Sequence, residues 1–176
     1  VEDGQVAQAG TVREVFGAPA TRFASAVAGV NRLVGVARDG RWWARSADIE
    51  IEVASADPDS QGAAADDGTP LAALVRPGAV RLEPAVESTW TGALRLERDA
   101  TPVTGSWLAR IERIDQTPAG ARVHTVSPPV AVDVPAETVA DLSLTPGLPV
   151  RLHVRPDDVR FTPIAAEQTA PDGAPA

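Results

Sequence analysis

The sequence predicts a mainly β chain built as two small antiparallel units in tandem, and three observations predict it. Strictly alternating stretches such as IEIEV at 49–53 and VAVDV at 130–134 have the period of two that half-buried strands require. Sixteen Pro and fourteen Gly in 176 residues, with three Phe, four Trp and no Tyr, mark many short elements separated by turns. The stretch VRPGAVRLEP at 75–84 returns as VRPDDVRFTP at 154–163 with six residues in the same places, so one unit is written twice. At 44% hydrophobic residues the chain can bury a core for each unit.

Residues 1–30 read differently. Val1 to Ala9 suits a hairpin turning at Asp3-Gly4. Thr11 caps a short helix over VREVF, with Glu14 completing a capping box. Pro19 is placed to open a second helix whose Phe23 and Val27 share a face and which Gly29 ends.

From Asn31 the period changes to two. NRLVGVA at 31–37, RWWAR at 41–45 and IEIEV at 49–53 read as strands, with RDG at 38–40 as a tight turn. Trp42 and Trp43 point to opposite faces, one into the core and the other toward a covering neighbour. Residues 54–69, rich in acids, Gly and Ala, bury too little to offset ordering entropy and read as a mobile loop. LAALV and AVRLEP complete a first unit over 31–84. Residues 85–106 form a linker with one strand-like stretch at ALRLE. The second unit, 107–164, repeats the order: WLARIERI, a turn at TPAG, ARVHTV, VAVDV, a short helix over AETVADL, then VRLHVRPDDVRFTP. Residues 165–176 read as a disordered tail.

Charge and composition exclude several functions. A net charge of −8 opposes general attraction to nucleic acid. The absence of Cys excludes disulfides and thiolate metal sites. No apolar run approaches the roughly 18 residues that span a bilayer. The chain starts with Val and has no Met, which reads as a fragment of a longer frame. No nucleophile elbow accompanies the Ser, His and Asp present, and His124 and His153 lack carboxylates at ligand spacing, so both read as ordinary strand residues.

The run EDGQVAQAGTVREVFGAPATRFASAVAGVNRLVG, residues 2–35, resembles the end of the nucleotide-binding domain of ABC importer ATPases. It has that family's hairpin with DG-x-V-x-Q-x-G, its helix with EVF, its Pro-initiated helix and its G-x-N. In that family the two VRP stretches look like the closing strands of TOBE-type domains, small OB-like β barrels behind the ATPase. VAVDVPAETVADLSLTPGLPV resembles the ending of the molybdate-binding (MOP-type) version.

The resemblance implies two short helices from an ATPase domain followed by two tandem OB-like barrels. It implies the C-terminal regulatory and dimerisation region of an ABC transporter ATP-binding subunit importing an oxyanion such as molybdate or tungstate. The alternative is a structural dimerisation module in a sugar, polyamine or iron importer, binding nothing small. A homodimer of the ATPase subunit, membrane permease partners, no nucleic acid, and a cytoplasmic position peripheral to the plasma membrane follow from the same resemblance. ATP and Mg would belong to the parent ATPase. The Gly-rich phosphate loop, signature motif and metal-ligating Asp are absent here, so the fragment is expected to hydrolyse nothing. The candidate oxyanion ligands are Arg155, Thr138, Ser106 and Thr104. A guanidinium suits an oxyanion, and the hydroxyls add neutral donors. The plain alternatives are an Arg155 ion pair with Asp157 or Asp158, and capping or solvated hydroxyls. The chain departs from the family where a Ser-Ala-Arg-Asn-like opening is replaced by TPVTGSWLARI and a Lys by Arg155.

Overall fold

A computed structural model describes residues 11, 19, 21–46, 49–56, 65–85 and 103–164. The hairpin expected over 1–9, the helix over VREVF, the ALRLE strand, residues 57–64 of the acidic loop and the tail lie outside these residues. Helix α1 (Arg22–Ala28) is followed by strands β1 (Asn31–Arg38), β2 (Arg41–Ser46), β3 (Ile49–Val53), β4 (Pro70–Val75) and β5 (Arg81–Pro84). The second half contains β6 (Ser106–Thr117), β7 (Gly120–Val126), β8 (Ala131–Val134), helix α2 (Ala136–Asp141), β9 (Pro149–His153) and β10 (Val159–Pro163). Single 3₁₀ turns, Pro77–Ala79 and Pro156–Asp158, precede β5 and β10.

Helix α1 starts at Thr21 and not at Pro19. The Thr21 hydroxyl accepts the Ala24 N–H at 3.0 Å, satisfying a helix-end donor that Pro19 could not serve. Gly29 ends it in the left-handed conformation. Asp39 and Gly40, both at positive φ, make the tight turn joining β1 to β2.

Two five-stranded antiparallel sheets form, ordered β10-β4-β1-β2-β3 and β5-β9-β6-β7-β8. Each takes its fifth strand from the other half of the chain. β5 pairs with β9, placing Leu82 opposite Leu152, and β10 pairs with β4, placing Val159 opposite Val75. The VRP repeat is therefore the crossover itself. Val75 ends β4 and Val154 directly follows β9, Arg76 and Arg155 precede matched 3₁₀ turns, and the proline that follows each arginine turns the chain into the opposite sheet. The stretches 81–84 and 159–163 thus do not close the units that they follow in sequence. A period of two specifies which face a strand buries, but not which neighbour it joins.

Both sheets curl until their outer strands approach. Beyond β3, the Ser55 hydroxyl donates to Val159 O at 2.5 Å and Ala56 N–H to Pro156 O at 3.0 Å. In the other sheet β8 lies against the turn Pro77–Ala79. The result is a pair of small OB-like barrels.

Edges are closed reciprocally. The buried Asn31, first residue of β1, uses its side-chain amide as a substitute strand. Its Nδ2 donates to Ala131 O at 2.8 Å, and Ala131 N–H donates to its Oδ1 at 2.7 Å. Register places Gly105 at the matching position before β6. There the Gly105 N–H donates to Glu52 O at 2.7 Å, and its own carbonyl accepts Val154 N–H at 2.8 Å. Each half thereby occupies hydrogen-bonding groups on an edge strand of the other.

One continuous core joins the halves, with Trp42, Ile51 and Leu71 from the first sheet and Trp107, Ile111 and Leu152 from the second fully buried. Each such side chain contributes about 1.5–3 kcal/mol by leaving water. Gly35 makes room for the Trp42 ring, which a Cβ at that position would strike. The Trp42 indole N–H donates to Leu71 O at 3.1 Å. Trp43 faces outward, half-buried, with the Arg38 guanidinium 5.2 Å from its ring centre.

Candidate functional site

The exchange brings the two crossovers together. A groove of about 640 Å³ is lined by Arg76, Arg155, Asp133, Asp158, the turn Pro77–Ala79 and the end of α1 at Ala28–Val30. On the other side of Arg76 a second groove, about 410 Å³, is lined by Leu74, Arg160, Asp157 and Asp158 as well as Arg76 itself. Arg76 and Arg155, far apart in sequence, are thus the basic groups of one cavity. Sequence reading singled out Arg155 as the ligand and treated Arg76 only as its matched copy. The repeat was the signal that could have paired them, had the strand exchange been legible.

Carboxylates already occupy part of this charge. Arg155 Nε donates to Asp158 Oδ2 at 2.8 Å, and that bond holds the Arg155 pKa above its ordinary value. The ion-pairing alternative for Arg155 is the arrangement present. Asp133 is held by Arg122 on β7 through two parallel bonds of 2.7 and 2.9 Å, and the Arg122 pKa is raised chiefly by that hydrogen bonding. Arg76 is exposed and makes no ion pair among the described residues. It is the groove's uncompensated cation.

The other candidate residues have separate surroundings. Thr104 donates its hydroxyl to Glu52 Oε1 at 2.5 Å and accepts from Arg41 Nη1 at 3.2 Å. Glu52 is buried and also paired with Arg41. The Thr104 donor is thus committed, and the carboxylate beside it opposes an anion. Ser106 is buried at the start of β6, where its Oγ accepts from Arg151 Nη1 at 3.4 Å. Gly105, between them, accepts the Val154 N–H, so their nearest link to Arg155 runs through the backbone. Thr138 lies on α2, which sits against β7, and does not line the Arg76–Arg155 groove; its N–H donates to Pro135 O at 3.1 Å. The structure therefore does not bring the four candidates together: of Arg155, Thr138, Ser106 and Thr104, only Arg155 lines the Arg76–Arg155 groove.

His124 on β7 and His153 at the end of β9 are strand residues. His124 Nε2 lies 3.0 Å from Asp115 Oδ2 but without the alignment of a hydrogen bond. Among the described residues no group of three His, Asp or Glu side chains could hold a metal ion, and no helix is long and apolar enough to cross a membrane.

Fold and groove together define a class: a mainly β protein of two OB-like barrels that exchange strands and bring two arginine-bearing crossovers to one cavity. Neither a family model nor a curated protein sequence matches the chain. Among solved structures it is similar to the cytoplasmic molybdate-binding protein ModG in a form with molybdate bound, with a TM-score of 0.53 and 12% identity, over 77% of this chain and 96% of that one. At that identity the likeness is one of fold, and it bears out the two-barrel expectation.

Proposed function

We propose that this chain is an oxyanion-binding regulatory region, with molybdate or tungstate as the ligand class, belonging to the C-terminal part of an ABC importer ATP-binding subunit. The observation that carries the oxyanion reading is the fold, since the similarity to a molybdate-binding protein spans nearly all of that protein. The resemblance of residues 2–35 to the end of an ATPase domain supports the transporter context. In that context the chain works on the cytoplasmic side within a homodimer of ATPase subunits under membrane permeases. ATP and Mg are handled by the ATPase domain, and this region carries out no catalysis of its own.

The groove residues fit a tetrahedral oxyanion in part. Arg76 offers a guanidinium with no carboxylate partner among the described residues, and Arg155 offers a second on exchanging Asp158 for the ligand. The net charge of −8 repels anions at long range, so affinity must come from such aimed donors. Regulation follows if the anion binds one arrangement of the dimer more tightly than another.

Calorimetric titration with molybdate and tungstate, using sulfate as the control, tests the proposal. Saturable binding that Arg155→Ala weakens is the expected result. Absence of binding in the verified dimer would overturn it in favour of a purely structural brace.

A further inference from the structure

Between their shared Val-Arg-Pro and Val-Arg the two crossovers differ at two places. Gly78 and Ala79 of the first stand where the second has Asp157 and Asp158. The turn does not call for these acids: Ala79 N–H donates to Arg76 O at 2.9 Å and Asp158 N–H to Arg155 O at 3.0 Å, so the same single 3₁₀ turn forms with and without them. Asp158 instead lines both arginine-bearing grooves. It brings a carboxylate into the cavity that the arginines open to anions.

The charged residues lining the larger groove are Arg76, Arg155, Asp133 and Asp158, and the smaller adds Arg160 and Asp157 to the shared Arg76 and Asp158. Arg122 binds both oxygens of Asp133, which commits that carboxylate. Asp158 is engaged through Oδ2, by Arg155 Nε at 2.8 Å. A carboxylate offers about four lone-pair sites and a guanidinium five N–H donors, so this bond leaves capacity on both partners. With side chains 57% and 23% exposed, Arg155 and Asp158 are both within a ligand's reach. An oxyanion received by the remaining Arg155 donors therefore lies beside Asp158. If that anion carries no proton, two acceptors meet and repel. If it carries one, its O–H donates to the carboxylate and the contact becomes a charge-assisted hydrogen bond. Cationic ligands fit less well, because Arg76 and Arg155 oppose an ammonium there, and among the described residues no three His, Asp or Glu side chains could hold a metal ion.

We propose that the groove also takes tetrahedral oxyanions that retain a proton, the class of inorganic phosphate and arsenate, with Arg76 and Arg155 as donors and Asp158 as the acceptor of the ligand's O–H. This inference rests on the oxyanion-binding reading of the same groove. It adds to molybdate and tungstate a ligand class that Asp158 assists, where the same carboxylate hinders an anion without a proton.

Calorimetric titration of the full chain with inorganic phosphate, sulfate and methyl phosphate, at about pH 8 and constant ionic strength, tests it. There all three are dianions, methyl phosphate being above its second pKa of about 6, and only inorganic phosphate carries a proton. The unsubstituted chain should prefer phosphate to the other two by about tenfold, and Asp158→Asn should bring all three within about twofold of one another. Asp158→Ala, which installs the residue of the first crossover, should do the same, and unchanged thermal unfolding of either variant ties the lost preference to the groove. Equal binding of phosphate and sulfate by the unsubstituted chain, methyl phosphate binding as tightly as phosphate, or a preference that survives in both variants would overturn the inference. Binding of molybdate without any preference for phosphate over sulfate would remove this inference and leave the oxyanion reading standing, whereas binding of no anion at all would remove both.

Discussion

Gly105 and Val154 approach as backbone against backbone: a Cβ on Gly105 would lie 2.5 Å from the Val154 carbonyl oxygen. Gly105 also holds φ +74°, a conformation that L side chains rarely adopt. Through it the second half reaches β3 of the first sheet. Gly105→Ala is expected to lower stability by about 2–4 kcal/mol, combining conformational strain with a displaced edge contact. Gly78→Ala, where a Cβ would meet nothing within 4 Å and φ is not positive, serves as the control. Urea unfolding checks both, and equal midpoints for the two variants would show that the Gly105 contact does not matter.

Asn31 performs the reciprocal task, and its replacement separates edge closure from strain. Asn31→Ala removes both bonds to Ala131 and leaves that residue's N–H and C=O without their partner, at a cost of about 1–3 kcal/mol. Amide exchange at Ala131 is expected to accelerate more than exchange in the central strands β4 and β9. Protection unchanged at Ala131 would mean that water replaces the amide without loss.

These two clamps show where sequence reading succeeded and where it stopped. IEIEV, VAVDV and the VRP repeat were legible because alternation and repetition are local, and the observed strands Ile49–Val53 and Ala131–Val134 fall where alternation placed them. The destinations of β5 and β10 were not legible, since Leu82 and Phe161 bury equally well in either sheet. Asn31 looked like an ordinary strand residue, because nothing local indicates a side chain acting as the partner of a strand a hundred residues away. Arg155 was singled out from sequence and Arg76 was not joined to it, for the same reason. Only the exchange makes them neighbours of one cavity.

Arg41 and Thr104 both bond the Glu52 carboxylate, which is 1% exposed on an outer sheet face. Breaking a buried pair leaves a charge uncompensated, but Arg41 is half exposed and water can replace part of its contribution. Arg41→Ala is therefore expected to cost about 1–2 kcal/mol, and the Arg41→Ala/Glu52→Gln double variant less than the sum of its singles. A double-mutant cycle measured by chemical unfolding reads the coupling, and strict additivity would deny the interaction.

Asp115 gives the molecule an acid-sensitive contact. The Arg113 hydrogen bond, the largest influence, holds the Asp115 carboxyl below its ordinary value of 3.8; desolvation, the next largest, opposes it, and the charges of Arg113 and His124 add to the lowering. A depressed folded-state pKa means that the folded chain takes up the proton less readily than the unfolded one. The stabilisation is fully present above the unfolded value and is lost as pH falls through the folded one. Thermal unfolding of the parent and of Asp115→Asn should differ at neutral pH and converge as the pH falls through the lowered folded-state value, below 3.8. A gap that persisted at acid pH would assign the effect of the substitution to something other than charge.

Asp158 competes for the same guanidinium that an oxyanion would use, which gives a prediction in the direction of gain. Asp158→Asn removes the carboxylate from Arg155 Nε and one negative charge from both arginine-lined grooves. The pair is exposed, so its loss is expected to change stability by less than about 1 kcal/mol. Molybdate binding, in contrast, should tighten by about three- to tenfold, the range expected when one charge-assisted bond no longer has to be exchanged. Arg76→Gln should weaken binding in both the parent and the Asp158→Asn background, because Arg76 needs no such exchange. Raising the salt concentration should shrink the gain, since the groove is open to solvent. Tighter binding that survives Arg76→Gln unchanged would leave Arg155 as the sole anchor, whereas weaker binding in Asp158→Asn would show that the carboxylate positions the guanidinium for the anion instead of competing with it.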